Sequence, residues 1–600
     1  MPRTQDRVTS IIVSPMRFLR MLTNAVMGGL LGATYLAVLI LQLNPQVPLT
    51  STTAARWFVT LLTFYGLYLS VLVYVLILIR EFLTSRPLSP GWLSVRLLAW
   101  LGAAGAASAA VITWANLKGF RAMLSDDAVE RLRQGAMATT VFAAVLLAVA
   151  VLRYSFGRRG TRATAVLLIA AMGLSVAVPL WLRGPGELPV PTTRGPQILP
   201  FASRPFVSFP PPSVRLVLLD GAALGFIRQR VAAGQLPNFG NLLDRGATID
   251  LATLKPTQAA PVLAAVATGK YPPKNGIRSS FRRVESDDVH PVDLLPDYCF
   301  AQALVDLSFV TEDEFIPSGA LRARPFWSIL ADYGVASGIV DWPLTYPAQV
   351  DQGYVISDQF DEGASHPLRL ARAGAPTTAS EISREAFDAW QSRPWQDVLP
   401  GSAADEPEPA GILRAVWDRA YSDAAIELEK TFPVRVTAIR YEGLDVLAHN
   451  FLREAEPELF GQIGRADLHR SILDRYYAFV DAEIGREASQ LNPGDLLLVV
   501  SGFGMEPETL PKRLLARAMG WSEQTGSHER APDGFLIAFG TNVASNQSLP
   551  RGAIVDVAPT ILYYLGLPVG RDMDGFARAD MFLRSYTIEH PVTYILTHER

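Results

Sequence analysis

Two hydrophobic patterns divide the chain near residue 183. Before it, apolar residues run without interruption for helix-length stretches: Met21–Leu43, Trp57–Ile79, Val95–Leu117, Gly135–Leu152 and Ala163–Leu182. A hydrocarbon core about 30 Å thick needs about 20 such residues of helix, so five spans are predicted. Arg3, Arg7, Arg17 and Arg20 precede the first, as in a signal peptide, but the apolar run is too long for one and four more spans follow. After residue 213 the apolar runs are short and end in polar groups. VRLVLLDG closes on Asp220, Val434–Arg440 leads into Asp445, Asp495–Val500 leads into Ser501, and Gly534–Phe539 follows His528. Continuous apolar runs of this length fit strands buried on both faces of a sheet. Helical stretches at Leu224–Gly234, Ser471–Gln490 and Val557–Leu565 alternate with them. The expected fold is therefore an all-α membrane bundle of five spans followed by an α/β domain, its mostly parallel sheet covered by helices on both faces.

The pattern also predicts the organisation: an anchor over 1–183, a proline-rich spacer over 184–213, and a soluble domain over 214–600 with a cap or insertion at 279–430. Gly401–Pro409 reads as an acidic, proline-containing loop inside that insertion. Basic residues in the N-terminal tail, Arg80–Arg86 and Arg153–Arg162 alternate with loops poorer in positive charge, which places the N-terminus in the cytoplasm. An odd number of spans then puts the soluble domain outside, as expected for a multi-pass protein of a bacterial inner (plasma) membrane. No span carries an ionisable residue near its centre, so anchoring is the expected role of the bundle.

Composition adds little. The chain is 49% hydrophobic and 18% charged, with a mean hydropathy of +0.20 that averages two unlike halves. A net charge of −3 argues against a nucleic-acid partner, which needs a concentrated basic face. The single cysteine, Cys299, excludes an intrachain disulfide.

Candidate chemistry gathers at the strand ends. Asp445 and His449 are one helical turn apart in YEGLDVLAHNF, and His528 lies in GSHERAPDG. Carboxylate and imidazole together suit a zinc-type ion. Arg278, Arg282 and Arg283 are candidate phosphate contacts, and VLAAVATG reads as a core helix.

Taken in order, these segments resemble the type I phosphodiesterase and nucleotide pyrophosphatase branch of the alkaline phosphatase superfamily. LDGAALGFIRQRVAAGQLPNFGNLLDRGA is similar to its first strand, metal-binding aspartate and following helix. KPTQAAPVLAAVATGKYPPKNGI is similar to its nucleophile helix, and PFWSILADYGVASGIVDWPLTYPA to a segment of its bacterial phosphohydrolases. YEGLDVLAHNF, GSHERAPDGFLIAFG and IVDVAPTILYYLGLPVGRDMDG resemble its Asp–His ligand pair, its last histidine ligand and its closing segment.

The resemblance implies two metal ions flanking a serine or threonine nucleophile. One metal site is complete in Asp445, His449 and His528. Of the second, Asp220 is present, but the Asp–His pair is replaced by Gly502–Phe503. The nucleophile slot, nine residues before Thr268, holds Ala259, with Thr257 as a substitute only through a register shift, and the signature histidine of the nucleophile loop is Asn275. Asn275, Trp342 and Tyr346 are the expected cleft residues.

The resemblance therefore implies a catalytically impaired binding or scaffolding protein with one divalent ion, zinc by preference. Its partners would be the lipid bilayer and a phosphate-bearing envelope ligand or a protein. The alternatives are an active single-metal phosphohydrolase and an envelope phospho-group transferase.

Overall fold

The structure is a computed structural model that describes residues 15–50, 52–83, 95–155, 162–186, 212–284, 291–297, 312–360, 372–399, 401–403, 405–461, 468–520 and 524–599. Arg3, Arg7, Cys299, most of the proline-rich spacer and the ends of the two basic loops at 84–86 and 156–161 lie outside them, as does part of the Gly401–Pro409 loop. The chain forms two compact units, one of Met1–Thr193 with Phe281–Phe315 and one of Arg194–Ser280 with Ile316–Arg600.

Five long helices build the first unit: α1 (Pro15–Leu43), α2 (Thr52–Leu83), α3 (Val95–Gly119), α4 (Asp126–Ser155) and α5 (Arg162–Arg183). Each holds a segment long and apolar enough to cross a membrane, so the protein is multi-pass. Helix α4 starts nine residues before its apolar run, because the Ser125 hydroxyl accepts the Ala128 N–H at 3.3 Å and nucleates a polar first turn.

Residues 291–297, from within the phosphodiesterase-like sequence, belong to this unit. Asn44, at the end of α1, donates from its Nδ2 to the Leu294 carbonyl at 2.7 Å. Its Oδ1 accepts the N–H groups of Asp293 and Leu294 at 3.0 Å each. Asn116 accepts the Asp297 N–H at 2.8 Å. Val292 and Leu295 pack among Ile40, Trp57 and Leu61.

The second unit is built on a mixed nine-stranded sheet, numbered β1 (Val214–Leu219), β2 (Ala247–Ala252), β3 (Ser337–Trp342), β4 (Gly353–Ser357), β5 (Gly374–Ala375), β6 (Val436–Tyr441), β7 (Leu496–Phe503), β8 (Asp533–Phe539) and β9 (Gln547–Ala553). The spatial order is β9-β2-β8-β7-β1-β6-β3-β4-β5. Strands β7, β1, β6, β3 and β4 run parallel, whereas β8 is antiparallel to both its neighbours. Three of the strands, β3 to β5, come from the 279–430 stretch.

One face of the sheet presents Val217, Leu219, Ile439, Tyr441, Leu497, Val499, Phe535 and Ile537 to a single core with Phe226, Tyr421, Leu447 and Tyr476. Each such side chain contributes about 1.5–3 kcal/mol on full burial. Helix α6 (Ala259–Thr268) is buried along nearly its whole length, as its apolar sequence predicts. Helix α7 (Gly443–Ala455) follows β6 directly and buries Leu444, Leu447, Phe451 and Leu452.

The topology gathers the polar strand ends. Asp220, Asp445 and Phe503 follow or close parallel strands and therefore share one edge. Because β8 is reversed, its start and the preceding His528 come to that edge too.

Candidate metal centre

Asp445 lies in the first turn of α7, and the turn after it places His449 on the same face. His528 follows the two-residue strand Gly526–Ser527. One ligand atom from each of Asp445, His449 and His528 lies within 4.8 Å of the others. His449 Nε2 is 3.6 Å from Asp445 Oδ2, and His528 Nε2 is 3.9 Å from Asp445 Oδ1. Ligands about 2.1 Å from a tetrahedral zinc ion sit about 3.4 Å apart, so the spacing fits with little adjustment.

Both imidazoles are oriented for this. His449 Nδ1 donates to the Gly526 carbonyl at 2.8 Å, and His528 Nδ1 donates to the Thr257 carbonyl at 3.0 Å. A carbonyl oxygen only accepts, so each Nδ1 carries the proton and each Nε2 offers its lone pair inward. The buried Oδ1 of Asp445 makes no hydrogen bond, which costs free energy unless a cation meets it. Gly221 lets this carboxylate approach: its φ is +71°, and a Cβ there would come within 3.0 Å of the Asp445 Cα and Oδ1. The donor set and its geometry fit one borderline divalent cation with an open position.

The other candidate residues are spent differently. Asp220 is buried at 1% exposure, and its Oδ2 accepts from Arg440 Nε at 2.8 Å and Nη2 at 2.6 Å. Burial, only partly offset by Arg440, raises this carboxyl to about 6. Ala259 is the first residue of α6. Thr257, two residues earlier, is buried, and its hydroxyl donates to the Leu254 carbonyl at 2.7 Å. Asn275 is fully buried; it donates to the Lys270 carbonyl at 2.7 Å and accepts the Ile277 N–H at 2.8 Å, fixing the turn after α6. Trp342 is fully buried against Phe326 and Trp327. Tyr346 packs on the main core and has Arg372 over its ring. Arg282 and Arg283 lie on a hairpin strand, Phe281–Val284, of the first unit.

Sequence reasoning missed a buried charge network beside the centre. Arg440 Nη2 also reaches Glu442 at 3.1 Å, and Arg414 Nε lies 2.9 Å from a Glu442 carboxylate oxygen as an ion pair. Arg414 pairs with Asp341 and lies 3.4 Å from Asp418. Asp418 accepts the Gly443 N–H at 2.7 Å and a hydrogen bond from the Tyr476 hydroxyl, so it holds the start of α7. Burial raises Asp341 well above the usual carboxylate range, while Glu442, which burial alone would raise, is lowered by Arg414 and Arg440. The one sequence signal for this network is a charged residue, Arg440, inside the apolar run VTAIRY.

The chain matches the type I phosphodiesterase / nucleotide pyrophosphatase family over residues 214–534. Similar solved structures include the murine ectonucleotide pyrophosphatase / phosphodiesterase 5, at 13% identity and a TM-score of 0.36 over 62% of this chain and 100% of that one. The human protein of the same name is similar at 13% identity and a TM-score of 0.37, over 62% of this chain and 99% of the other. No curated protein matches the chain in sequence. With more than half of its length matched, and with five membrane-spanning segments ahead of the matched domain, the chain belongs to the type I phosphodiesterase / nucleotide pyrophosphatase family.

Proposed function

We propose that this is a membrane-anchored member of the family that holds one divalent ion, zinc by preference, on Asp445, His449 and His528, and binds a phosphate-bearing envelope ligand without covalent turnover. The observation that carries the reading is the start of α6. The Thr257 carbonyl there holds His528, yet the side chain two residues on is the methyl of Ala259, which cannot attack phosphorus. Among the described residues, the Thr257 hydroxyl near that turn is buried and already donates to Leu254, and the Ser280 hydroxyl accepts the Ala260 N–H at 3.2 Å. When bound, the ion supplies a Lewis acid for a phosphoryl oxygen. The three side chains orient it, and the Gly526 and Thr257 carbonyls fix both histidine tautomers. The basic-loop asymmetry supports an extracytoplasmic position for the domain, with residues 184–213 as its spacer.

The test uses the full-length protein in detergent. Zinc is measured by elemental analysis alongside hydrolysis of bis(p-nitrophenyl) phosphate, with an Asp445→Ala/His449→Ala double variant as control. Zinc that the double variant loses, with phosphate binding by calorimetry and no hydrolysis above the control, is the expected result. A second reading, direct attack by metal-activated water, is favoured by the open coordination position of a three-ligand site. Hydrolysis that disappears with the zinc would establish it and overturn the first.

A further inference from the structure

The family resemblance implies a second cation at Asp220, and the residues here do not fit one. Three observations weigh against it; the buried Oδ1 of Asp220 makes no hydrogen bond, but Gly502 and Phe503 offer it no second protein ligand to share an ion. The Oδ2 of Asp220 is taken by two nitrogens of Arg440, at 2.8 and 2.6 Å, and both side chains are buried. Phe503, which closes β7, is fully buried with its ring 4.9 Å from that of His528. At Gly502, a Cβ would come within 2.4 Å of Val262 Cγ1 on α6, so a ligand-bearing side chain fits there only if Val262 gives way.

We propose that Arg440 replaces the second metal ion: its guanidinium is the fixed cation that neutralises Asp220, and the centre beside it takes a single ion. The chain delivers this charge through strand register. Arg440 stands opposite Leu218 in the β1–β6 pair, one residue before the strand ends, which brings its guanidinium to the carboxylate at the tip of β1. Glu442 accepts from the same Nη2 at 3.1 Å and fixes the plane of the fork. A guanidinium is always charged, donates in a fixed geometry and cannot be removed by a chelator. It also cannot acidify a bound hydroxyl as a metal does, which matches the loss of the nucleophile at Ala259. In its metal stoichiometry the proposal rests on the three-residue centre proposed above; the pairing itself does not.

The experiment measures zinc content and thermal unfolding of the full-length protein in detergent, with and without EDTA, for the wild type, Asp220→Asn, Arg440→Lys and His449→Ala. One zinc per chain is expected, bound by Asp220→Asn within about threefold of wild-type affinity and weakened about 100-fold or more by His449→Ala. Asp220→Asn should melt several degrees lower by the same amount in zinc and in EDTA, and Arg440→Lys should lose less. A second zinc equivalent that Asp220→Asn abolishes, or a melting deficit that vanishes in EDTA, would overturn the proposal. A protein that binds no zinc but keeps the deficit in EDTA would refute the three-residue centre and uphold the Arg440 pairing. If the variants do not fold, wild-type stoichiometry decides: absence of a second equivalent is the expected result and its presence overturns the proposal.

Discussion

His528 Nδ1 donates to the carbonyl oxygen of Thr257 at 3.0 Å, which ties the loop before α6 to a histidine of the candidate metal centre. The bond holds the imidazole so that Nε2 points at Asp445, 3.9 Å away. Replacing His528 or His449 by alanine removes a ligand and should weaken zinc binding by about 100-fold or more. Replacing Thr257 by alanine keeps the carbonyl and should leave zinc affinity within about threefold, since only the backbone is used. Competitive zinc titration against a chelating dye separates the two; a large loss in Thr257→Ala would show that its hydroxyl matters to the centre.

Arg414 faces Asp341, Asp418 and Glu442 in the buried network. Arg414→Met keeps the bulk and removes the charge, leaving Asp341 and Asp418 without this cation and Glu442 with Arg440 alone. The expected cost is about 3–5 kcal/mol, read as a lowered unfolding midpoint in detergent. Because Asp418 holds the Gly443 N–H at the start of α7, zinc affinity should fall as well.

His598 is 8% exposed and its Nε2 donates to the Pro568 carbonyl at 2.8 Å. Burial lowers its protonation equilibrium below the usual value of 6.5, with Arg324 and Lys270 acting in the same direction. The folded state therefore resists a proton that the unfolded chain accepts. Its contribution to stability is complete above pH 6.5 and declines as pH falls below it. The melting temperature should drop as pH falls below 6.5, and His598→Gln should flatten that part of the profile. An unchanged slope in the variant would assign the pH dependence to other groups.

Asn44 holds residues 293 and 294 through three hydrogen bonds. Asn44→Ala leaves the Asp293 and Leu294 N–H groups and the Leu294 carbonyl without this partner, at a cost of about 1–3 kcal/mol. Hydrogen exchange over 291–297 should accelerate about tenfold or more, since 1.4 kcal/mol corresponds to a tenfold change in an equilibrium constant. Asn116→Ala should act on Asp297 alone. Unchanged exchange in Asn44→Ala would mean that Val292 and Leu295 suffice to dock the segment.

Much of this protein could be read from local patterns, because local patterns have local causes. The five spans follow from apolar runs that only a bilayer accommodates, and the strands around Val214–Leu219 and Leu496–Phe503 follow from residues buried on both faces. Asp445 and His449 were legible as a pair because a helical turn joins them whatever the rest of the chain does.

What the sequence alone determined, then, was the five apolar helices long enough to cross a membrane, the α/β class and the order of the polar motifs along the chain. The tertiary structure decided the rest. Reversal of β8 brings His528 to the edge where Asp445 lies, and strand order is set by long-range packing that no short window contains. The pairing of Arg440 with Asp220 joins positions 220 residues apart through the β1–β6 register. The docking of 291–297 on Asn44 and Asn116 likewise depends on backbone donors and acceptors, which are the same in every residue and become specific only when the fold brings them together.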